Sequence, residues 1–468
     1  MLDPKAEMYL QFRAAREALG RDVYCIDPYG IARPDGGHTY NPMIRVSADD
    51  PFLIDIAKDM AASLVTRTGE EKERFFPDAS EHLIQTVISA VLWGGEPVDR
   101  HLATVADIIA SPELLANTLA AIQHTDAYGG ALRTLGRQAA QLEGREKASV
   151  LSSIAAQYLG WLNSAPVRDT IRTSTVDPMW LKTRNADLFV CIPPERLRSA
   201  NGYVRYLLNG ILRRLVEGPP DESRPVMVIL DEVSLIGRLN ILEEAVTLFA
   251  GWGVVTAYIW QSLGQVQDLF PGDKAKTFLA NNSLQIFGKT NDLETAKHIS
   301  ERIGDTTVLG TSVQNGESTS YPTGVESRQG SGQRSTSWSV THNEMGRRLI
   351  RPEEVLALPA EVMTVFTDRT RPILVRQVRF YSPEFWHTEQ GGKTTFGHLA
   401  VAVLCIWALV IAGLLSQPAP IPTSTPYTPN RDSGRPVGGN PSRPTRGPND
   451  EQEDRRGPRP GHVQKRSR

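Results

Sequence analysis

Two carboxylates follow an apolar run near the middle of the chain. Residues Val226 to Leu230 are all apolar, and Asp231 and Glu232 come directly after them. Such a run is typical of a strand buried on both faces of a parallel sheet, and open α/β sheets bind ligands at the carboxyl ends of their strands. The pattern predicts that Asp231 holds Mg²⁺ and that Glu232 polarises an attacking water, as in nucleotide hydrolysis. Apolar strands that end in Asp-Glu also occur without any such site.

A polar amide is predicted at the same edge of the sheet. An amphipathic helix over residues 239–250 leads through a glycine-containing turn to a second apolar strand over residues 254–260, and Gln261 follows it. Strand, helix and strand within about 35 residues form a right-handed crossover, which returns the chain to the same sheet edge. Gln261 there either senses a γ-phosphate and orients water or only caps the next helix.

Several blocks of sequence together resemble one family, the type IV coupling proteins, which are the TraG-like ATPases of bacterial conjugation and type IV secretion. The resemblance covers roughly residues 1 to 385 and is carried by blocks in the same order as in the family. These are residues 3–7 (Asp-Pro-Lys-Ala-Glu, against Asp-Pro-Lys-Gly-Glu in the family), 229–237, 250–253, 259–262, 278–282, 291–292, 295–296, 348–355 and 358–359.

The resemblance implies an α/β fold: a RecA-like sheet of the P-loop nucleoside-triphosphatase class with an all-α inserted domain. It implies ATP and Mg²⁺ as ligands, with Asp231 on the metal and with Glu232 and Gln261 catalytic. Its implied partners are single-stranded DNA with its relaxase complex and the proteins of the secretion channel. A homo-hexamer at the bacterial inner membrane is the expected assembly.

The phosphate-binding loop of that class is not found in these 468 residues. The pattern Gly-x-x-x-x-Gly-Lys-Ser/Thr fails at Gly288-Lys289 because Ser283 stands at the first glycine, and it fails at Gly392-Lys393 because His387 does. Without the first glycine, the backbone N–H groups do not wrap around phosphates. We therefore expect an N-terminally truncated member that lacks the P-loop strand, and we expect this chain alone neither to hydrolyse ATP nor to fold as a well-behaved monomer.

The pattern along the chain divides it into segments. Residues 1–48 are expected to begin the nucleotide-binding domain after the missing loop, residues 49–175 to form the all-α insert, and residues 176–385 to complete the nucleotide-binding domain. Within the last segment, residues 310–343 are rich in Ser, Thr, Gly and Gln and predict a mobile loop.

The C-terminal part has a different composition. Residues 396–415 form an apolar stretch long enough to cross a bilayer and predict a transmembrane helix. Residues 416–468 are dense in Pro, Gly and Arg and predict a disordered tail. Because ATP is cytoplasmic, the ATPase domain is expected on the cytoplasmic side of the inner membrane.

Overall composition excludes some classes of function. The formal net charge is −2 and the pI is about 6.5, so the chain as a whole has no basic nucleic-acid signature. The three cysteines (Cys25, Cys191 and Cys405) have no metal-ligand spacing and are expected to be packing residues.

Two alternatives to a DNA-transfer ATPase remain open on the sequence. One is a non-catalytic docking protein that keeps the partner surfaces but lost its motor together with the phosphate-binding loop. The other is a motor of the same class that moves protein instead of DNA. Nucleotide binding would distinguish a DNA-transfer ATPase from the docking protein. Salt-dependent binding of single-stranded DNA would distinguish it from a motor that moves protein.

Overall fold

The computed structural model describes residues 1–35, 37–67, 75–320 and 333–377. In chain order its helices are α1 (Glu7–Ala18), α2 (Leu53–Leu64), α3 (Phe75–Gly94), α4 (Leu102–Ala110), α5 (Pro112–Ile122), α6 (Ala131–Ala140), α7 (Gly144–Ser153), α8 (Ala165–Thr170), α9 (Trp180–Thr183), α10 (Pro194–Leu197), α11 (Asn201–Leu215), α12 (Asn240–Leu248), α13 (Leu263–Leu269), α14 (Asp273–Ala280), α15 (Leu293–Ile303) and α16 (Pro352–Leu356). Its strands are β1 (Asp22–Ile26), β2 (Ala186–Val190), β3 (Val226–Leu230), β4 (Val254–Tyr258), β5 (Leu284–Phe287), β6 (Asp305–Ser320), β7 (Gln333–Arg348), β8 (Val362–Thr367) and β9 (Ile373–Arg376).

A parallel sheet carries the two carboxylates. Strand β1 pairs with β2, and β3 pairs with β4, both in parallel. Leu2 bridges the two pairs through parallel contacts with Val190 and Leu230, and its N–H donates to the carbonyl of Ile229 at 2.9 Å. Residues 1–3 therefore lie between β2 and β3. The parallel α/β sheet and the β3–α12–β4 crossover that the sequence predicts are confirmed.

A helical segment is inserted between β1 and β2. Residues 49–175 hold α2 to α8, and their described part contains no strand. Helix α3 packs against α2, and both contribute fully buried side chains such as Leu53, Leu83 and Ile88. These side chains belong to one core that continues into the sheet through Leu2, Ile26 and other strand residues. The predicted run of helices is present, and its status as a separate domain stays a prediction.

A second sheet is antiparallel, in the order β5, β8, β9. In the described part of the chain, β4 pairs only with β3 and β5 only with β8, so each has one open edge. The predicted apolar strand over residues 254–260 is present as β4 (Val254–Tyr258), and only its Val254 is fully buried. On β5, the side chain of Ile286 is 50% exposed. An unpaired edge leaves these apolar side chains without a covering neighbour.

Residues 310–320 and 333–343 form strands where the sequence predicts a loop. They belong to β6 and β7, which pair in an antiparallel ribbon from Asp305 opposite Arg348 to Ser320 opposite Gln333. Ladder hydrogen bonds satisfy the backbone without a hydrophobic core, and Thr and Val suit extended backbone. The composition rightly indicates little burial, since the described side chains of the ribbon beyond Asp305 are mostly exposed. A segment with little burial can therefore still form paired strands.

Two of the cysteines are packing residues, as predicted. Cys25 and Cys191 are fully buried free thiols, and their Sγ atoms lie 3.6 Å apart. The neighbouring Cys25 thiol and burial raise the pKa of Cys191, so it stays protonated at neutral pH. Cys405 lies outside the described residues.

The predicted transmembrane helix (396–415) and disordered tail (416–468) also lie outside the described residues. Among the helices that the structure describes, none has both the length and the apolar composition to cross a bilayer by itself. Helices α4 and α5 would pass such a test only as a pair, and they are bent by 109° at their junction.

Candidate nucleotide-hydrolysis site

Asp231 and Glu232 lie at the carboxyl end of β3, as the sequence predicts, and both are half-buried. Glu232 has left-handed backbone angles, φ 57° and ψ 49°. For a residue with a Cβ this conformation is unfavourable, and it persists only where surrounding contacts enforce it. A single turn of 3₁₀ helix, Val233–Leu235, follows directly. The chain thus turns sharply at Glu232 and leaves the sheet.

A pocket of about 120 Å³ opens beside the two acids. Its polar lining consists of Asp3, Lys5, Glu7, Asp231 and Glu232. These side chains come from two distant parts of the sequence, which the sheet joins by placing residues 1–3 next to β3. The sequence did not identify Asp3, Lys5 or Glu7 as site residues.

Asp3 is the most enclosed acid of this pocket, with only 3% of its surface exposed. One of its carboxylate oxygens accepts a hydrogen bond from the N–H of Tyr9 at 2.8 Å. Burial raises the pKa of Asp3, against the lowering effects of the backbone N–H groups of Tyr9 and Met8 and of the N-terminal ammonium group; the negative charge of Asp231 adds a smaller raising effect. The two carboxylates therefore interact electrostatically across adjacent strand ends.

Lys5 is the cation of the pocket and is itself exposed. The next residue, Ala6, is also left-handed (φ 56°) at the start of α1. Ala6 stands where the family block quoted above has glycine, the residue that adopts this conformation without cost. That block was the signal in the sequence that would have placed Lys5 at the site.

Gln261 lies at the same sheet edge but not in the lining of this pocket. The parallel register sets Leu230 opposite Tyr258, and the N–H of Ile259 donates to the carbonyl of Leu230 at 3.1 Å. Gln261 follows two residues later and is exposed. Its N–H donates to the side-chain oxygen of Gln265 at 2.9 Å. The predicted edge is correct, and a role for Gln261 in chemistry stays a prediction.

The pocket has the chemistry of a magnesium site but not the size of a nucleotide site. Carboxylate oxygens are the ligands that Mg²⁺ prefers, usually one or two of them together with substrate phosphates. Within the described residues no group of three or more His, Cys, Asp or Glu side chains is arranged to hold a metal without such help. The volume of about 120 Å³ is well below the roughly 300–1,000 Å³ of sites that enclose small molecules. A nucleotide would need further surface beside the pocket.

Charge leads to the same conclusion. Four carboxylates and one ammonium group line the pocket, and such a lining repels a polyphosphate. A bound divalent cation and additional donors of positive charge are therefore required before a triphosphate can be held here.

The chain is similar to known proteins over most of its length. A family model described as "Type IV secretory system Conjugative DNA transfer" matches residues 1–400. The chain is 26% identical over 388 residues to "Protein VirD4" of Agrobacterium fabrum, and this match covers 81% of the chain and 54% of VirD4. It is 24% identical over 382 residues to "Conjugal transfer protein TraG" of the same organism, covering 80% of the chain and 55% of TraG. The chain thus spans about half the length of these relatives.

Solved structures share the fold. The bacterial conjugative coupling protein TrwBdeltaN70 superposes with a TM-score of 0.56 at 15% identity, covering 81% of this chain and 77% of that one. The plasmid coupling protein TrwB in complex with ADP and Mg²⁺ gives the same score and identity over 82% of this chain and 80% of its own. At this identity the likeness establishes the fold, which is that of the TrwB-type coupling proteins.

Proposed function

Since the chain belongs to the type IV secretory system family of conjugative DNA transfer, we propose that it is the coupling ATPase of such a system. In this role it delivers DNA to the secretion channel at the expense of ATP. The observation that carries the proposal is the placement of Asp231 and Glu232 in one pocket at the carboxyl edge of a parallel sheet.

The two acids have separate roles in the proposed reaction. Asp231 would hold Mg²⁺, which when bound with ATP neutralises charge on the β- and γ-phosphates. Glu232 accepts hydrogen bonding from the attacking water and orients it as a general base. Gln261, at the end of the next strand, is proposed to contact the γ-phosphate region and to position the same water.

The phosphate-binding surface is proposed to come from a strand and loop that are not among these residues. The 468 residues contain no Gly-x-x-x-x-Gly-Lys-Ser/Thr pattern. In the described part of the chain, β4 and β5 each leave one edge unpaired, and the side chain of Ile286 on β5 is exposed. A strand between them would pair both edges and carry its loop to Asp231. TrwB structures with bound nucleotide share this fold, which supports nucleotide binding by a protein of this fold.

The remaining features of the proposal concern partners and place. The substrate is single-stranded DNA in its relaxase complex, and the receiving partners are channel proteins. A homo-hexamer at the bacterial inner membrane, with its ATPase domain in the cytoplasm, is the proposed assembly. The family description, conjugative DNA transfer, and the name of the relative TraG, a conjugal transfer protein, support the DNA substrate over a protein substrate.

The test replaces Glu232 by glutamine in a form of the protein that hydrolyses ATP. We expect Glu232→Gln to bind Mg-ATP nearly as well as wild type and to hydrolyse it roughly 10²-fold more slowly, because the general base is lost. Asp231→Asn should instead weaken the Mg²⁺ dependence of nucleotide binding. The matched control is Glu146→Gln, which removes an exposed acid of α7 away from the pocket. Equal hydrolysis rates in wild type and Glu232→Gln would refute the assignment.

A second measurement separates the proposed function from a docking protein. The 468-residue chain is assayed for Mg-ATP binding and for binding of single-stranded DNA over a range of salt concentrations. DNA affinity that falls steeply with salt supports a DNA substrate. Partner binding without any nucleotide binding, even after a phosphate-binding segment is added, would favour the docking protein.

A further inference from the structure

One fully buried arginine contacts the segment that follows Glu232. Arg205, on α11, is 1% exposed, and its hydrogen bonds within the described residues go to backbone carbonyl oxygens. Nε donates to Ser63 at 2.9 Å, Nη2 to Val65 at 3.4 Å, and Nη1 to Ile236 at 3.4 Å and Arg238 at 2.5 Å. Burial lowers the pKa of Arg205 to about 10, so it remains charged at neutral pH.

These carbonyls belong to two separate parts of the molecule. Ser63 and Val65 are at the C-terminal end of α2, where carbonyls lack a helical partner and the helix dipole favours a cation. Ile236 and Arg238 belong to the segment that follows Glu232. Arg205 therefore joins the inserted helices to the segment that begins at the catalytic carboxylate.

A second side chain of α11 contacts the same segment. Asn201 precedes Arg205 by four residues, so both lie on one face of the helix. The side-chain amide of Asn201 donates to the carbonyl of Leu235 at 2.5 Å. Together Asn201 and Arg205 hold three of the four carbonyls of residues 235–238. The N–H of Leu235 in turn donates to the carbonyl of Glu232 at 3.0 Å.

We infer that Arg205 and Asn201 are positioning residues for Glu232, which they hold in its left-handed turn while tying that turn to the end of α2. The inference rests on the proposed function for the catalytic role of Glu232. A displacement of the end of α2 is transmitted through one rigid guanidinium to residues 236–238. The inserted helices thereby act on the geometry of the hydrolytic carboxylate.

The side chain must be arginine for this role. A guanidinium presents five N–H donors in a fixed plane, whereas a lysine ammonium presents three donors at the end of a flexible stem. Lysine at position 205 reaches one of the two groups of carbonyls but does not bridge both. Arg205→Lys keeps the positive charge but no longer joins the end of α2 to residues 236–238, and Arg205→Met removes both the charge and this connection.

The test is hydrogen exchange of the full chain without nucleotide or DNA. In Arg205→Lys and Arg205→Met, we expect amides of residues 233–239 to exchange about tenfold faster, or more, than in wild type, because charge-assisted hydrogen bonds are lost. Asn201→Ala should accelerate exchange chiefly at Leu235 and Ile236. Should Arg205→Met fail to fold, Arg205→Lys and Asn201→Ala still decide the question.

Arg213→Met is the matched control. Arg213 is on the same helix and also bridges α11 to α2, through Asp59, and to α12, through Glu244, but it has no hydrogen bond to residues 235–238. Its variant should leave exchange at residues 233–239 unchanged. Wild-type exchange there in both Arg205→Lys and Asn201→Ala, or equal acceleration in the Arg213 variant, would overturn the inference.

Kinetics distinguish positioning from general support of the fold. In a form of the protein that hydrolyses ATP, Arg205→Lys should lower kcat about tenfold while KM for ATP stays within about twofold of wild type. Equal losses in kcat for the Arg205 and Arg213 variants would contradict a positioning role. The exchange experiment needs no ATP, so its result stands even where the proposed hydrolysis fails the Glu232→Gln test.

Discussion

Glycine at position 232 should give a more stable protein than alanine, the reverse of the usual order inside helices. Glu232 has φ 57° and ψ 49°, and a Cβ in this left-handed region costs roughly 1–2 kcal/mol. Glycine avoids that cost but loses roughly 0.5–1 kcal/mol through its greater freedom in the unfolded chain. We therefore expect the free energy of unfolding of Glu232→Gly to exceed that of Glu232→Ala by about 0.5–1 kcal/mol.

The comparison of these two variants isolates the backbone. Both lack the carboxylate, so every interaction of that group cancels in the comparison. The control pair is Glu243→Gly and Glu243→Ala within α12, where alanine should be the more stable by about 1 kcal/mol. We expect the difference in unfolding free energy between the glycine and alanine variants to have opposite signs at positions 232 and 243.

The assay is urea unfolding followed by tryptophan fluorescence for the four variants under one buffer condition. Matching slopes against urea concentration allow the midpoints to be compared as free energies. If Glu232→Ala proves as stable as Glu232→Gly or more so, the left-handed turn is not enforced, and the reasoning about its strain and about its clamp by α11 fails.

Two further predictions concern Asp3 and α11. Burial and the charge of Asp231 raise the pKa of Asp3. The contribution of Asp3 to stability is therefore fully present below the pKa of the unfolded state, about 4, and is lost as pH rises through the higher pKa of the folded state. Asp3→Asn should gain stability relative to wild type between pH 4 and pH 8, and a constant difference in unfolding midpoints would contradict this. Gly202→Ala on α11 should lower the free energy of unfolding by roughly 1–3 kcal/mol, because the new Cβ would lie 2.3 Å from the indole nitrogen of Trp161. Gly264→Ala on α13, where the nearest atom is 3.6 Å away, should instead raise the free energy of unfolding by up to about 1 kcal/mol. Thermal melting of both variants checks the difference in sign.

Local patterns in the sequence were sufficient for the elements that carry the acids. The apolar run before Asp231 predicts β3, and the period of apolar residues predicts the helices between β1 and β2. A parallel crossover then requires Gln261 to share an edge with Asp231, because both strands run in the same direction. These features depend on a few neighbouring residues, so the amino-acid order alone determined them.

The sequence indicated that Arg205 is unusual, but only the structure shows which groups it contacts. Arg205 lies three residues before Leu208 and seven before Leu212, which are both buried on α11. An arginine on an apolar stripe indicates a buried cation with special partners. Its acceptors are backbone carbonyls, which every residue has, so no residue type in the sequence marks them.

The tertiary structure decided which residues share the pocket and which edges stay open. Asp3 and Lys5 reach Asp231 only because residues 1–3 insert between β2 and β3, a pairing set by long-range backbone hydrogen bonds. The local sequence pattern likewise predicted neither the left-handed turn at Glu232 nor the ribbon of β6 with β7. Propensity and periodicity describe neighbours along the chain, whereas strand order, strain and burial depend on contacts between residues that are far apart in the sequence.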